Sequence, residues 1–277
     1  MREPRPRPRV HVATLLEFNA PPRRWYAFRV WQLRRPGEGP LVLGHRGASA
    51  RATENTVAAF RRARTDGADG VELDVLLSAT GEVMVFHDDD LARLAGRPER
   101  VGDLPYRALR DVQLPGGTTI PTLEEALEAC GPDLLVNVEL KANELGFGPM
   151  AALVEAVAEV IARTDSARRV LVSSFNPWAV HLWMRRVPAV RAALLFERQS
   201  MLPLRRAWLA PWLRPFALHP ELVLCTPERV AAWRRRGYMV NVWTVDDPVA
   251  LAACRRMGVD GVITNDPAKT RTALASA

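Results

Sequence analysis

Between residues 41 and 264, apolar runs of strand length alternate with amphipathic stretches of helical length, and this alternation is the strongest constraint on the fold. Extended runs are read at 41–44 (LVLG), 70–75 (GVELDV), 82–87 (EVMVFH), 134–140 (LLVNVEL), 169–173 (RVLVS), 192–196 (AALLF), 222–224 (LVL), 238–243 (YMVNVW) and 261–264 (GVIT). Helices are read at 55–65, 149–163 and 176–186. Others start at Thr122, where Glu125 completes a capping box, at Thr226-Pro227 and at Asp247-Pro248. Strand followed by helix, repeated along the chain, predicts a parallel sheet. No G-x-G-x-x-G turn or G-x-x-x-x-G-K-[ST] loop is present, which argues against dinucleotide and P-loop folds. The expectation is an α/β protein, a (β/α)8 TIM-type barrel, and 277 residues suffice for one. Nine runs exceed eight strands by one, so one is extra or misread.

The composition is that of an ordinary globular chain, with 48% hydrophobic and 25% charged residues. No apolar run approaches the ~20 residues of a membrane span. Three dispersed cysteines (Cys130, Cys225, Cys254) match no zinc spacing and suit a reducing compartment. With no secretory signal in view, a cytoplasmic location is expected. The net charge of +7 resembles a nucleic-acid signal, yet residues 1–40 hold nine Arg against three Asp or Glu, leaving the remainder near +1. The basic character therefore belongs to an N-terminal segment, 1–39, and no nucleic-acid partner is expected of the domain at 40–270. That Pro-rich segment, with Trp25, Tyr26 and Trp31, reads either as a solvated leader or as a contact with an anionic membrane.

In a barrel of this kind the site lies where strands end and loops begin. Glu72 and Asp74 are two apart on a strand and share a face, and Glu139 is a third carboxylate at an equivalent strand end. Carboxylates this close repel unless one is protonated or a cation joins them. Oxygen ligands without a nearby Cys indicate a hard divalent cation, Mg²⁺ or Ca²⁺. The competing reading is ion pairing with Arg. Lys141 shares the face of Glu139 and is one of only two lysines beside 36 arginines; it suits a phosphoryl oxygen or an ion pair with Glu139. His45 and His87 could form a general acid–base pair, with Arg46 binding an anionic oxygen, whereas His11, His181 and His219 read as structural. A two-residue turn at Thr80-Gly81 would set residue 74 opposite residue 87 and carry His87 back to the carboxylates. A phosphate diester fits this set of groups. A metal-assisted sugar-acid lyase or aldolase would use similar ones.

The stretches HRGASARATENTVAAF (45–60), GVELDVLLSATGEVMVFHDDDLARLAG (70–96), IPTLEEAL (120–127), VNVELK (136–141), VLVSSFNP (170–177), VNVWTVDDP (240–248) and GVDGVITNDP (258–267) resemble the glycerophosphodiester phosphodiesterase family, in family order across 41–268. The resemblance implies a (β/α)8 barrel with a small insertion after the third strand, here about 89–120. It implies metal ligands at Glu72, Asp74 and Glu139, an acid–base pair at His45 and His87, and phosphate contacts at Arg46 and Lys141. Phe175 and Trp243 match pocket walls, and Glu54 and Asn55 match supporting residues. Thr53 departs from the family's usual Pro, a change expected to affect only the loop. The implied reaction is hydrolysis of a glycerophosphodiester to sn-glycerol 3-phosphate and an alcohol. In the implied path the metal acidifies the glycerol 2-hydroxyl, which attacks phosphorus, and water then opens the cyclic phosphate. The histidines move the protons, in an order the sequence leaves open. Two alternatives remain at this stage: a lysophospholipase D-type hydrolase on lipid-bearing diesters, and a non-catalytic phosphate- or lipid-binding barrel. The bulky segment 202–216, with Trp208 and Trp212 among Arg and Pro, is a second expected membrane contact. Oligomeric state is not legible.

Overall fold

The computed structural model describes residues 31–35, 37–142 and 146–276. Its strands are β1 (Leu41–His45), β2 (Gly70–Leu77), β3 (Val83–Val85), β4 (Gln113–Leu114), β5 (Thr118–Thr119), β6 (Leu135–Leu140), β7 (Val170–Ser174), β8 (Arg191–Phe196), β9 (Ala217–Pro220), β10 (Met239–Val242) and β11 (Gly261–Thr264). The helices are α1 (Val57–Thr65), α2 (Ala92–Ala95), α3 (Tyr106–Arg110), α4 (Leu123–Cys130), α5 (Phe147–Arg163), α6 (Pro177–Arg186), α7 (Leu202–Arg205), α8 (Ala210–Leu213), α9 (Pro227–Arg235), α10 (Pro248–Met257) and α11 (Pro267–Ala275). Strands β1, β2, β6, β7, β8, β9, β10 and β11 are parallel neighbours in that order, and β11 returns to β1, so the sheet closes into an eight-stranded (β/α)8 barrel.

Two of the nine expected runs need correction. The run at 82–87 contains β3, which pairs antiparallel with the far end of β2 and lies outside the barrel. The run at 222–224 is a 3₁₀ turn, and the barrel strand precedes it as β9, whose His219 and Pro220 disguise it. The series also continues past residue 264 into α11, capped by the Asp266 carboxylate on the Lys269 amide. The β2–β3 register differs by one from the expected turn. Val75 faces Val85, and the Phe86 amide donates to the Asp74 carbonyl at 3.1 Å. The loop has three residues, Ala79 to Gly81, and Gly81 takes the positive φ of +92° that such a loop requires at its last position. His87 still follows directly and reaches the mouth.

Helix starts follow local chemistry. Thr56, Thr122, Asn176, Thr226 and Asp247 each accept an amide hydrogen bond from the first turn that follows. Along β6 the period of two separates the environments. Val136, Val138 and Leu140 pack outward among the helices, while Leu135, Asn137 and Glu139 occupy the alternate positions. Leu135 belongs to the barrel floor, with Leu43, Leu171, Ala193, Ala217, Met239 and Ile263. Trp31 completes that floor. It is 1% exposed, and its indole Nε1 donates to the Arg169 carbonyl at 2.9 Å. Trp31 is thus core rather than a membrane contact, contrary to the expectation from its Arg-rich surroundings. Trp25, Tyr26, His11 and the rest of 1–30 lie outside the described residues.

Residues 89–120 carry α2, α3 and the β4–β5 pair, and Leu91, Val101, Leu109 and Ile120 pack with Met84 and Phe86. Thr53 reaches this insertion, its hydroxyl donating to the Pro115 carbonyl at 2.8 Å. No helix among the described residues is long and apolar enough to cross a membrane.

Candidate active site

Strand register assembles the polar groups. His45 at the end of β1 lies beside Glu72 on β2, and Asp74 on β2 lies beside Glu139 on β6. Carboxylate oxygens of Glu72, Asp74 and Glu139 all lie within 4.8 Å of one another, and all three residues are buried.

Each carboxylate has a positioning partner. The backbone amide of Arg46 donates to Glu72 Oε2 at 3.0 Å. Asn55 donates its Nδ2 to Asp74 Oδ2 at 2.8 Å and its own amide to the Arg46 carbonyl at 2.9 Å. Asn55 holds the left-handed conformation (φ +56°), which Asn tolerates better than most residues. Lys141 Nζ lies 3.1 Å from Glu139 Oε1 and 3.6 Å from Asp74 Oδ1, so the ion pair with Glu139 exists and extends to a second carboxylate. Arg46 reaches Glu54 at 2.7 Å and Asp74 at 3.4 Å, and its buried Nε has no hydrogen-bond acceptor among the described residues.

The electrostatics show too little positive charge for three anions. Burial, then the charges of Asp74 and Glu139, pushes the Glu72 carboxyl well above its usual range. Burial likewise raises Glu139 to about 7, with Asp74 adding to the effect and Lys141 opposing it. Burial also works against Asp74, but Lys141 and Arg46 outweigh it and hold that carboxyl low. A divalent cation among these oxygens would remove the repulsion. The donor set, all oxygen and convergent, can hold such an ion.

Both histidines reach the same cavity, and each is fixed through Nδ1. His45 Nδ1 lies 2.8 Å from Asn265 Oδ1. Asn265 Nδ2 donates to Asp246 at 2.5 Å, which fixes the amide so that its oxygen faces His45. His87 Nδ1 lies 2.6 Å from Asp88 Oδ1. Arg93 then joins Asp88 (2.7 Å) to Glu54 (2.6 Å), and Glu54 leads back to Arg46. Burial, followed by the charge of Arg46, lowers the His45 pKa below the ordinary 6.5. Burial opposes ionisation of Glu54, but Arg93 and Arg46 prevail and bring it to about 2.

The cavity has a volume of about 640 Å³, within the ~300–1,000 Å³ typical of small-molecule sites. His45, Arg46, Glu72, His87, Glu139 and Lys141 line one side; Phe175, Trp178, Met201 and Trp243 line another. Phe175 and Trp243 meet edge to face with ring centroids 5.6 Å apart, and Trp243 Nε1 donates to the His219 carbonyl at 2.9 Å. Every site residue expected from the sequence is therefore at or directly beneath this mouth. Asn265, Asp246, Asp88 and Arg93 are given no role by the sequence. Asn265 carried the same signal as the others, a polar residue immediately after a barrel strand. His219, expected to be structural, is fully buried on Asn241 at 2.9 Å.

Residues 45–269 match the Glycerophosphoryl diester phosphodiesterase family. The chain belongs to that family. It is 33% identical over 236 residues to a glycerophosphodiester phosphodiesterase of Caldanaerobacter subterraneus subsp. tengcongensis, covering 82% of this chain and 94% of that one. It is also 33% identical to probable glycerophosphodiester phosphodiesterase 2 of Mycobacterium tuberculosis, covering 82% and 88% of the two chains. Among solved structures it is similar to an Oleispira antarctica phosphodiesterase in complex with the product sn-glycerol-3-phosphate (TM-score 0.77, 27% identity, 85% of this chain and 97% of that chain). The glycerophosphodiester phosphodiesterase of Thermotoga maritima is a further neighbour (TM-score 0.71, 30% identity, 85% and 98%). The protein is accordingly an enzyme, a phosphoric diester hydrolase of the glycerophosphodiester phosphodiesterase type.

Proposed function

We propose that the enzyme is metal-dependent, uses His45 and His87 as its proton-transfer pair, and releases sn-glycerol 3-phosphate and an alcohol. The observation that carries this reading is the convergence of both imidazoles, Glu72, Glu139 and Lys141 on one 640 Å³ cavity, with Asp74 directly beneath. The product named for the Oleispira antarctica relative supports the choice of sn-glycerol 3-phosphate.

Glu72, Asp74 and Glu139 would hold the cation, Mg²⁺ or Ca²⁺. When bound it supplies charge neutralisation and acidifies oxygen groups. Arg46 and Lys141, which line the cavity, neutralise the phosphoryl oxygens. With Nδ1 of each ring engaged, Nε2 is the atom left to exchange a proton. One ring takes the proton of the glycerol 2-hydroxyl as that oxygen attacks phosphorus. The other gives a proton to the departing alcohol. Water then opens the cyclic phosphate with the two roles exchanged. Phe175 and Trp243 form a wall against which the rest of the substrate packs.

The test is hydrolysis of glycerophosphocholine with product analysis, before and after chelation and after return of Mg²⁺ or Ca²⁺. The expected result is sn-glycerol 3-phosphate formed only with metal. Turnover unaffected by chelation, or release of phosphocholine instead, would refute the proposal.

A further inference from the structure

Eight of the nine large apolar side chains exposed among the described residues lie in segments that leave the C-terminal ends of barrel strands. The exception is Leu33, which precedes β1. Six of the eight lie in the three successive connections after β6, β7 and β8: Phe147, Trp178, Met201, Leu202, Trp208 and Trp212. Trp178 and Trp208 are each 62% exposed and Met201 is 80% exposed. An indole in water forgoes a large burial gain, and a contiguous apolar patch marks an interaction surface. Trp178 and Trp212 form a contiguous part of this surface. Trp212 meets Trp178 with centroids 6.0 Å apart and stacks on His181 at 5.2 Å, while Trp178 and Met201 also line the catalytic cavity.

The charge around the patch has one sign. Between Glu197 and Glu221 there is no acidic residue, but there are four arginines: Arg198, Arg205, Arg206 and Arg214. Arg198, Arg206 and Arg214 are exposed, and none of the four makes an ion pair with a described residue. Elsewhere some exposed arginines are paired, as Arg163 is with Glu124 and Arg62 with Asp66, and others, such as Arg107 and Arg255, are not paired with a described residue; what sets this segment apart is four arginines with no acidic residue among them. Tryptophans interleaved with unpaired arginines suit the interface of a bilayer bearing anionic headgroups, where the ring sits at headgroup depth and the guanidinium meets phosphate.

We infer that the rim formed by the connections after β7 and β8 docks the enzyme on an anionic lipid bilayer, with the catalytic cavity opening towards the membrane. This goes beyond the hydrolytic reaction and holds or fails independently of the metal and histidine assignments. A diester carried in the leaflet that the rim contacts would meet the cavity without crossing bulk water.

The experiment is co-sedimentation of the full chain with vesicles of phosphatidylcholine alone, and of phosphatidylcholine mixed equally with phosphatidylglycerol, alongside hydrolysis of soluble glycerophosphocholine. The expected result is partitioning onto the mixed vesicles, weakened by salt and much weaker on the neutral ones. Trp208→Ala combined with Trp212→Ala should reduce partitioning by about tenfold or more, as should Arg206→Glu with Arg214→Glu. Both variants should hydrolyse the soluble substrate normally, which also shows that they fold. Equal binding of wild type and variants, absence of binding, or self-association through this face in sedimentation analysis would overturn the inference. Vesicle binding by a protein that hydrolyses no diester would leave the docking inference standing and sink the functional one.

Discussion

On one side of the mouth, at the ends of β1, β2 and β6, charged groups are tied to one another through short hydrogen bonds and ion pairs. Arg46 holds Glu72 and Glu54, Asn55 holds Asp74, and Lys141 spans Glu139 and Asp74. On the other side, at the ends of β7, β8 and β10, Phe175, Trp178, Met201 and Trp243 meet mostly edge to face or by shape, and two of them are largely exposed. The difference follows from the range and direction of the forces. Buried charges interact strongly at several ångströms, so small displacements are costly and each group needs a fixed partner. Apolar walls need only volume and closeness. The proposed function assigns the charged side to the bond being broken, and the aromatic side to whatever is attached to it.

The largest effect that tests this division comes from Glu72→Gln. Removing one of the three carboxylates proposed to hold the metal should cost about 10³-fold or more in kcat/KM, in line with the several kcal/mol a metal contributes to charge stabilisation. The same substitution should raise the melting temperature of the chelated protein, because it removes a carboxylate whose ionised form the fold disfavours. The sign extends to pH. Glu72 and Glu139 both have folded pKa values above the ordinary 4.5, and that of Glu139 is about 7. The unfolded chain therefore loses these protons first. Metal-free stability should fall as pH rises from about 4.5 through 7, and added Mg²⁺ or Ca²⁺ should abolish the decline. Melting curves across that window with and without metal decide the matter; a flat metal-free profile would mean that the three carboxylates are already neutralised from within.

Next come the imidazoles. His45→Ala and His87→Ala should each cost ~10²–10⁴ in kcat for every glycerophosphodiester tested, since the proton transfers proposed for them involve atoms common to all of them. Because the His45 pKa is lowered, one limb of the pH dependence of kcat/KM should lie below 6.5 and move upward in Asn265→Asp. If activity falls towards acid along that limb, His45 is the base of the rate-limiting step; if it falls towards alkali, His45 is the acid. A smaller loss is expected at Asn55. Asn55→Ala leaves the three carboxylates in place but frees Asp74 to rotate, so metal affinity should drop ~10–100-fold while saturating metal restores most of kcat. Metal titration of activity measures this.

The charged side was legible in the sequence because its chemistry is sequence-local. Glu72 and Asp74, and Glu139 and Lys141, are pairs two residues apart on strands, and the period of two places each pair on one face whatever the rest of the chain does. The aromatic side was less legible. Phe175 and Trp243 came only through the family resemblance, because a strand-end aromatic has no periodic signature that separates a pocket wall from core. The supports were harder still. Asn265 acts on His45 across 220 residues and Arg93 on Glu54 across 39, pairings that only closure of the barrel creates. β9 was hidden because a strand buried on both faces can carry His and Pro that lower its apparent propensity. Trp31 departs from its expected role for a related reason: composition describes the segment around a residue, whereas the apolar floor that receives its indole comes from seven strands.

The smallest predicted effect is also the one that most sharply divides the two sides. Trp243→Phe keeps an aromatic ring against Phe175 and loses the indole hydrogen bond to the His219 carbonyl, a bond of ~0.5–1.5 kcal/mol. Nothing in that change touches the carboxylates, the histidines, Arg46 or Lys141. It should therefore raise KM by about threefold to tenfold while leaving kcat nearly unchanged, the pattern of lost uniform binding. It should also do so unequally: a glycerophosphodiester with a bulky alcohol uses more of this wall than one with a small alcohol, so the KM ratio between the two should shift. Glu72→Gln and His45→Ala should leave that ratio where it is in wild type. Steady-state kinetics on two alcohols with all three variants measures it directly. A fall in kcat for Trp243→Phe, equal for both alcohols and with KM unmoved, would place the aromatic side within the bond-breaking machinery and dissolve the distinction between the two halves of the mouth.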